Sequence, residues 1–438
     1  MYINNNKNFY NKSKELTDFL SKDDDGVFYI GHASILVRLN KKKFIFDVIE
    51  QSNFYNNSWC FFPSQIMDNR LLDVDGAFVS HIHQDHYDPF FLRKLSNKKV
   101  PIYILSGRNN LISALKEKKI KFKSIPFKKK FYINKTTWVY GCLHEYNDID
   151  SSMVISNDNL TVYHGNDNFI TKKSLLPFKK IVGNVDVGCI PFAFIHYYPY
   201  LLSCISKKQM IKEGNKLENR FMDYGIMQSK ILKPKVIIPF GSNLFHSDNP
   251  NSVMNKAVAT PIDFVNYARK KNRFLSKNYK TMLSGSYVFK INGHIHSHYE
   301  QINKKEFNSK LKKFINLYKK NRKKNISKPL VIKNSYLKNI ENNLKRNKKK
   351  INHKIIISPI DKSGYKILIN LNNNKVNLLR DVNLPDNSHY FKIETNEFNQ
   401  WLKGSLTFEE ILGTRRFKYI RKPNVYNIKV MQIYTNYL

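Results

Sequence analysis

Short apolar runs alternate with turns rich in Asn, Asp and Gly between residues 26 and 289. Examples of these runs are VFYI, FIF, GAFV, PIYIL, TVYH and KVIIPF. Their length, their β-branched content and their turn boundaries predict strands. Apolar residues at helical spacing lie between some of them, at residues 90–95 and around residues 109–118. This mixture predicts an α/β domain in which sheets and helices form layers.

The pattern changes after residue 300. Residues 301–350 hold eighteen Lys or Arg against two Glu, and apolar residues from Phe307 to Tyr318 recur at helical spacing. We predict an amphipathic helix packed on the core, running into a basic linker. Residues 351–438 regain strand-like runs and end in the helix-like WLKGSLTFEEILG. The predicted organisation is an N-terminal extension at 1–25, a catalytic domain at 26–300, a basic helix and linker at 301–350, and a small α+β cap at 351–438.

Charge bears on the choice of partner. The formal net charge is +40, from 74 Lys and Arg against 34 Asp and Glu. Such a balance favours an anionic partner, although a chain this rich in Lys, Asn, Ile, Tyr and Phe also fits an AT-rich genome. We expect an anionic small-molecule substrate, with nucleic acid as the less favoured partner. The oligomeric state stays open.

The cysteines and the apolar segments bear on location. The four cysteines form no Cys-x-x-Cys pair and no disulfide framework, which suits a reducing compartment. The N-terminus lacks the continuous apolar stretch of a signal peptide. Residues 187–204 are uncharged, but Pro191 and Pro199 interrupt them as a helix. We expect a cytoplasmic protein without a transmembrane segment, in which residues 187–204 form a buried or pocket-lining connection.

Three histidines and two aspartates crowd into VSHIHQDHYDP, residues 79–89. A strand is expected to deliver the chain into a loop here, and Pro89 suits the first turn of a following helix. His81 and His83 point the same way in an extended stretch and can share one metal ion. Asp85 and His86 lie on the next turn, within reach of a second ion. Imidazole and carboxylate ligands together favour zinc, iron or manganese over calcium or magnesium.

The segment HIHQDH resembles the HxHxDH signature of the metallo-β-lactamase superfamily. The resemblance covers the chain up to about residue 290 and implies an αββα sandwich with metals at the sheet edges. It implies two divalent ions, zinc first, with iron or manganese as alternatives. Metal-activated hydroxide would be the nucleophile, and Asp85 would orient it and accept a proton.

The same resemblance implies roles for residues further along the chain. Asp47, which ends one strand-like run, resembles the buried acid that supports the metal site. His144, which follows another run, resembles the third histidine of the first metal. Asp167 resembles the bridging aspartate, with Asp158 and His164 as competing choices.

The second metal departs from the superfamily pattern. Phe240 and Gly241 stand where a histidine directly after the strand is usual, so the nearest candidate ligand is His246. The segment GHAS, which contains His32, resembles the entry strand of members that hydrolyse phosphodiesters or sugar-phosphate lactones. His32 would reach the pocket or be an ordinary core residue. Asp85, His246 and His32 are therefore the catalytic candidates.

Three further segments resemble the CMP-N-acetylneuraminate hydroxylase family. They are LKPKVIIPFGSNLFHSDNP, VDVGCIPFAFIHYYPY, and a C-terminal Arg-x-Pro-x-x-Tyr pattern formed here by Arg421, Pro423 and Tyr426. That family also carries a Rieske iron–sulfur domain, which needs a Cys-x-x-His. No Cys-x-x-His occurs in this sequence. An oxygenase built from this chain would need electrons from a separate protein.

Four functions remain open at this point. The leading one is a metal-dependent hydrolase acting on an anionic substrate, a nucleotide sugar or a phosphodiester. The second is a di-iron oxygenase that hydroxylates an amino sugar or nucleotide sugar. A nuclease that uses the basic residues 301–350 ranks third. A binding protein that kept the fold but lost its second metal is the remaining alternative.

Overall fold

The computed structural model describes residues 13–145, 149–194, 196–248, 254–255, 258–321, 328, 330–347, 350–360, 364–380 and 383–438. The strands within these residues are β1 Asp25–Gly31, β2 Ser34–Leu39, β3 Lys42–Phe46, β4 Asn53–Phe54, β5 Trp59–Phe61, β6 Gly76–Val79, β7 Ile102–Leu105, β8 Lys123–Ile125, β9 Phe131–Tyr132, β10 Trp138–Leu143, β11 Ser151–Ser156, β12 Thr161–His164, β13 Val187–Pro191, β14 Val236–Phe240, β15 Leu244–His246, β16 Tyr287–Ile291, β17 His294–His298, β18 Lys354–Pro359, β19 Lys366–Asn370, β20 Lys375–Leu379, β21 Ser388–Ile393 and β22 Phe417–Lys422. The α-helices that we label are α1 Lys14–Leu20, α2 Pro89–Asn97, α3 Asn109–Glu117, α4 Lys172–Val182, α5 Lys207–Leu232, α6 Pro261–Lys271, α7 Lys304–Asn321, α8 Asn334–Leu344, α9 Thr395–Leu402, α10 Phe408–Thr414 and α11 Ile428–Tyr437.

The first large sheet has eight strands in the order β17-β16-β1-β2-β3-β6-β7-β8. Strands β1, β2 and β3 form an antiparallel meander, whereas β3, β6, β7 and β8 run parallel. Parallel neighbours need a crossover connection, and α2 and α3 are the crossovers for β6, β7 and β8. The histidine-rich segment therefore emerges at the carboxyl end of a parallel strand.

The second large sheet has six strands in the order β14-β13-β12-β11-β10-β9. The two sheets share one apolar layer to which both contribute, including Phe46 and Phe78 from the first and Ile155 and Val187 from the second. Helices α1, α2 and α3 cover the outer face of the first sheet. Helices α4, α5 and α6 cover the outer face of the second. These layers confirm the αββα sandwich predicted from the sequence.

Residues after the sandwich form a C-terminal unit, which we define as β18 to β22 together with α8 to α11. Its sheet has the order β20-β19-β18-β21-β22, and the four helices pack into one apolar core with it. Tyr197 and Leu202, from the segment after β13, also pack in that core. The predicted small α+β extension is confirmed, and its core is continuous with a loop of the sandwich.

The helix-like WLKGSLTFEEILG contains two helices rather than one. Helix α9 ends at Leu402, and Gly404 adopts a φ of 71° in the connection. Helix α10 then begins with a capping box, in which the Thr407 side chain accepts the Glu410 N–H and the Glu410 carboxylate accepts the Thr407 N–H. A glycine with positive φ and a new cap end one helix and start another.

The basic region after residue 300 is more structured than the predicted linker. Helix α7 forms as predicted, and its apolar face packs on the sandwich through Phe307, Leu311, Phe314 and Ile315; the Tyr318 side chain lies outside the described part. Helix α8 falls inside the predicted linker, and its Ile340 and Leu344 are buried in the C-terminal core. Apolar residues at helical spacing therefore anchor this stretch despite its charge.

The opening segment that includes GHAS is a hairpin rather than one strand. Strand β1 ends at Gly31, whose φ is 136°, and β2 begins at Ser34. A Cβ added at Gly31 would lie 2.6 Å from Ser284 Oγ, so this position requires glycine. His32 adopts a φ of 50°, which ends the extended conformation. The turn places His32 at the end of the sheet.

The uncharged segment 187–204 begins as strand β13 and continues as a loop that includes Phe192 and Ala193. The side chains of Cys189, Ile190 and Phe192 are fully buried, which agrees with a buried connection. Among the described residues, no helix is both long enough and apolar enough to cross a bilayer.

Two buried histidines lie together in the C-terminal unit. His353 and His389 are 6% and 3% exposed, and their ring centroids are 4.5 Å apart. The Tyr434 hydroxyl bonds to His389 Nδ1. Burial, followed by the charges of His353 and Arg421, lowers the pKa of His389 from 6.5 to about 3. The folded protein therefore keeps His389 neutral at a pH where the unfolded chain is protonated.

We predict that this histidine makes the protein less stable in acid. Below pH 6.5 only the unfolded state takes up a proton at His389. The free energy of unfolding therefore falls by about 2 kcal/mol between pH 7 and pH 5 because of this residue. The His389→Gln variant should lose that part of the pH dependence, as measured by urea unfolding at both pH values. The exposed His296→Gln variant should behave as the parent. Equal pH dependence in His389→Gln and the parent would contradict the prediction.

Candidate metal centre

The HIHQDH segment occupies the turn between β6 and α2. Helix α2 begins at Pro89, and the Asp88 carboxylate accepts the N–H groups of Phe90 and Phe91 at 2.9 and 3.2 Å. Phe91 and Leu95 are fully buried against the first sheet. Because the strand before the turn and the helix after it are both anchored, the loop between them is held in place.

The first ligand group consists of His81, His83 and Asp167, whose ligand atoms all lie within 4.8 Å of one another. His81 Nε2 is 2.8 Å from His83 Nδ1. Two ring nitrogens at this distance either share a proton or bind a common cation. Asp150 Oδ1 lies 3.7 Å from His81 Nε2, so a further carboxylate borders this group.

The second ligand group consists of His32, Asp85 and His86, also within 4.8 Å of one another. His32 Nε2 is 3.1 Å from Asp85 Oδ2, and His86 Nε2 is 3.7 Å from the same oxygen. His86 Nε2 is also 3.4 Å from Asp167 Oδ2. Asp167 therefore lies between the two groups, where a bridging ligand would be.

Asp47 orients histidines of both groups. Its Oδ2 accepts the Ser80 hydroxyl at 2.5 Å and the His86 Nδ1–H at 3.0 Å. Ser80 Oγ in turn lies 3.0 Å from His81 Nδ1. With the Ser80 proton directed to Asp47, this oxygen accepts the proton of His81 Nδ1. With a metal bound, both histidines would carry their proton on Nδ1 and present the Nε2 lone pair to it.

The charges of the two groups depend on one another. Burial, with His86 and His83 nearby, lowers the pKa of His81 well below its usual value. Burial also lowers the pKa of His86, but the carboxylates of Asp167 and Asp85 outweigh it and raise that pKa well above the usual value. Burial raises the pKa of Asp85, yet the opposing effects of His86 and His32 leave it below its usual value. The carboxylates of Asp167 and Asp85 therefore stabilise positive charge at His86.

The residues present fit a pair of divalent ions. His86 Nε2 is buried and makes no hydrogen bond to any described residue, although two carboxylates lie within 4 Å of it. A buried nitrogen of this kind is costly unless it binds a proton or a metal. Imidazole and carboxylate donors at these separations are the ligand types of zinc, iron and manganese sites.

Two predicted ligands lie outside both groups. His144 follows β10 directly, and its backbone N–H donates to the Asp150 carbonyl at 2.9 Å. His246 Nε2 donates to the Thr414 carbonyl at 3.0 Å, and its ring packs edge-on against Trp59. His246 lies outside the groups because β15 leaves the end of β14 and pairs with β5, which directs His246 toward the C-terminal unit.

The hairpin between β1 and β2 meets the end of β14, where the sequence has Gly241 in place of the histidine expected from the resemblance. The Gly241 N–H donates to the His32 carbonyl at 3.1 Å. A Cβ added at Gly241 would lie 3.3 Å from Asp167 Oδ1, so a side chain at this position would face the centre. His32 reaches the second group from the adjacent turn.

The alternatives to Asp167 lie elsewhere. Asp158 is exposed in the turn between β11 and β12. His164 is buried, with Nε2 3.0 Å from the Ala33 carbonyl and its ring packed against Phe46 and Phe240. Asp167 alone among the three belongs to a ligand group.

The sequence reasoning missed Asp150 and Glu409. Glu409, on α10, places Oε1 3.5 Å from His83 Nε2. Burial lowers the pKa of His83, but the Glu409 hydrogen bond and charge raise it to about 9. The acidic stretch before β11 was a usable signal for Asp150, whereas no local pattern marks Glu409, which comes from the C-terminal unit.

Comparison with known proteins gives a short sequence match. No protein-family model matches the chain. A curated Mycolicibacterium smegmatis protein, provisionally named a Rieske 2Fe-2S iron-sulfur protein, is 35% identical over 77 residues. The match covers 17% of this chain and 15% of that protein, so the chain spans a small part of its relative's length.

Three solved structures resemble the chain at low identity. Igni18, a novel metallo hydrolase from Ignicoccus hospitalis, is 14% identical with a TM-score of 0.39, covering 56% of this chain and 91% of that one. CmlA, a diiron beta-hydroxylase from Streptomyces venezuelae, is 15% identical with a TM-score of 0.39, covering 57% and 52%. An isothiocyanate hydrolase from Delia radicum gut bacteria is 11% identical with a TM-score of 0.41, covering 63% and 100%. Because these scores are low, the candidate site is assigned from the side chains of this chain alone.

We predict that Asp47→Asn weakens metal binding by about 10- to 100-fold, because the amide disrupts the hydrogen bonds that fix His86 and Ser80. Competition with a chromophoric chelator measures the affinity. The exposed Asp158→Asn variant removes the same charge and should bind metal as the parent does. Parent affinity in a folded Asp47→Asn variant would show that the carboxylate does not position the ligands.

Proposed function

We propose that the chain is a metal-dependent hydrolase with a binuclear centre that acts on an anionic substrate, a nucleotide sugar or a phosphodiester. The observation that carries the proposal is the pair of adjoining ligand groups with Asp167 between them. A structural site for a single metal ion would need only one such group, whereas two adjoining groups can hold two ions.

The ligands divide naturally between two ions. His81 Nε2, His83 Nδ1 and Asp167 would hold the first, with Asp150 as a further carboxylate on that side. Asp85, His86 and His32 would hold the second. In this assignment His32 takes the place that the sequence reasoning gave to His246.

A bound divalent ion would lower the pKa of its water to about 7, which makes hydroxide available at neutral pH. Asp85 is ionised at neutral pH because its pKa lies below the usual value, with His86 and His32 overcoming the effect of burial. Its carboxylate can therefore orient a water molecule and accept a proton. The net charge of +40 supports an anionic substrate.

The second candidate is an oxygenase that hydroxylates an amino sugar or nucleotide sugar. It is favoured by Asp150, a carboxylate that borders the first group while His144 lies outside it. A larger share of carboxylate ligands suits iron better than zinc. These 438 residues contain no Cys-x-x-His for a Rieske cluster, so electrons would come from a redox centre outside them.

We expect two metal ions per chain in protein purified anaerobically without an affinity tag or added metal, as measured by elemental analysis. His32→Ala should lose about one of them, because it removes a ligand of the second group. His246→Ala should keep both, because its Nε2 bonds to the Thr414 carbonyl. The reverse pattern would return the second site to His246.

The reaction class is tested with oxygen isotopes. A panel of phosphodiesters and nucleotide sugars is incubated in ¹⁸O-labelled water, with and without dioxygen and a reductant. Hydrolysis predicts label from water in the product and no need for dioxygen, whereas a product that forms only with dioxygen and reductant and carries an unlabelled new oxygen would replace the hydrolase with the oxygenase. His81→Ala should lower turnover about 100-fold or more, and the exposed His296→Ala should not. Full metal content and turnover in His81→Ala would refute the site.

A further inference from the structure

The C-terminal unit borders the metal centre directly. Gln84, inside the HIHQDH segment, donates from Nε2 to Glu410 Oε1 at 2.8 Å. Its Oε1 accepts the Tyr55 N–H at 2.7 Å. Glu409, the residue before Glu410, approaches His83 Nε2 to 3.5 Å. Helix α10 therefore lies against the loop that carries the metal ligands.

Two adjacent arginines follow this helix and have different surroundings. Arg416 pairs with Asp248 at 2.5 and 3.0 Å and with Glu397 at 2.5 Å. It also donates to the Asn56 carbonyl at 2.9 Å. Two carboxylates neutralise this guanidinium, which joins the C-terminal unit to the sandwich.

Arg415 instead lies against Tyr197 and senses the charge of Asp85. It ends α10 with a φ of 56°, an uncommon conformation for a residue other than glycine. Its guanidinium donates to the Leu412 carbonyl and lies 5.5 Å from the ring centre of Tyr197. Burial lowers the pKa of Arg415, and Tyr55, Tyr197 and Asp85 act in the opposite direction. The residue as a whole is half-buried.

Tyr55 packs against α10 at the point where the helix carries a glycine, residue 413. A Cβ added at Gly413 would lie 2.2 Å from the Tyr55 ring. Trp59 Nε1 donates to the Gly413 carbonyl at 2.8 Å, which holds the helix at this distance. Burial, followed by the charges of Asp85 and Glu409, raises the pKa of Tyr55 well above its usual value. Its hydroxyl therefore stays protonated and can donate a hydrogen bond.

His196 adds a neutral imidazole to the same region. Its Nδ1 accepts the Tyr198 N–H at 3.0 Å, which places its proton on Nε2. Burial, followed by the charge of Arg415, lowers the pKa of His196 to about 4. The region therefore combines one cation with two neutral donors.

We propose that Arg415, together with Tyr55 and His196, binds an oxyanion of the substrate, a carboxylate or a phosphate, beside the metal centre. A planar guanidinium with paired N–H groups matches both oxyanions. The proposal rests on the proposed function, because it treats the metal centre as the reaction site. It makes the C-terminal unit part of the substrate-binding site.

The test is isothermal titration of the full chain with inorganic phosphate and, separately, with acetate. Each variant is titrated with metal bound and after chelation, and its metal content is measured. Arg415→Gln should keep its metal and weaken binding of at least one probe by about tenfold or more. Arg415→Lys should fall in between, because lysine keeps the charge but loses the planar donor pair.

The matched control is Arg380→Gln. The Arg380 guanidinium also lies 5.5 Å from a tyrosine ring, that of Tyr365, and is exposed on the C-terminal unit. This variant removes the same charge and should bind both probes as the parent does. The probe that weakens in Arg415→Gln identifies the oxyanion as a phosphate or a carboxylate.

Parent affinity for both probes in Arg415→Gln would overturn the proposal, as would an equal loss in Arg380→Gln. If Arg415→Gln does not fold, parent affinity in Arg415→Lys would also overturn it. A parent that binds the probes through Arg415 but takes up no metal would support the subsite and refute the metal-dependent hydrolase. The two proposals therefore fail separately.

Discussion

The buried Asp47 carboxylate is the interaction on which the candidate metal centre depends. Pairing of β3 with β6 places it next to Ser80, whose N–H and hydroxyl both donate to it. A buried carboxylate is costly unless its oxygens are satisfied, and here Ser80 and His86 satisfy them. The same bonds orient the ligand nitrogens of His81 and His86. Asp47 therefore links the pairing of β3 with β6 to the orientation of the candidate metal ligands.

The second candidate ligand group draws a residue from the turn that packs beside the end of β14. Gly241 ends β14 without a side chain, and the turn between β1 and β2 packs beside it. His32 enters from this turn, with its backbone in the left-handed region. A strained backbone conformation at a ligand position is typical of functional sites, where the surrounding fold stabilises it.

The C-terminal unit is joined to the sandwich by contacts close to the centre rather than by a remote linker. Tyr197 and Leu202 share its apolar core, and Arg416 bonds to Asp248 and to the Asn56 carbonyl of the sandwich. These contacts place Arg415 and Glu409 near residues that precede them by more than three hundred positions. The anion subsite that we propose would form only after the C-terminal unit has docked.

The sequence by itself determined what depends on neighbours along the chain. Apolar runs and turn residues predicted a layered α/β domain, the resemblance of HIHQDH implied the αββα order, and the strand, loop and helix start around that segment placed four candidate metal ligands together. Tertiary structure decided the rest. The proposed preference for His32 over His246 follows from the pairing of β15 with β5, and the positions of Asp150, Glu409 and Arg415 depend on how separate elements pack. Spacing along the chain cannot reveal such contacts, because they form between segments far apart in sequence.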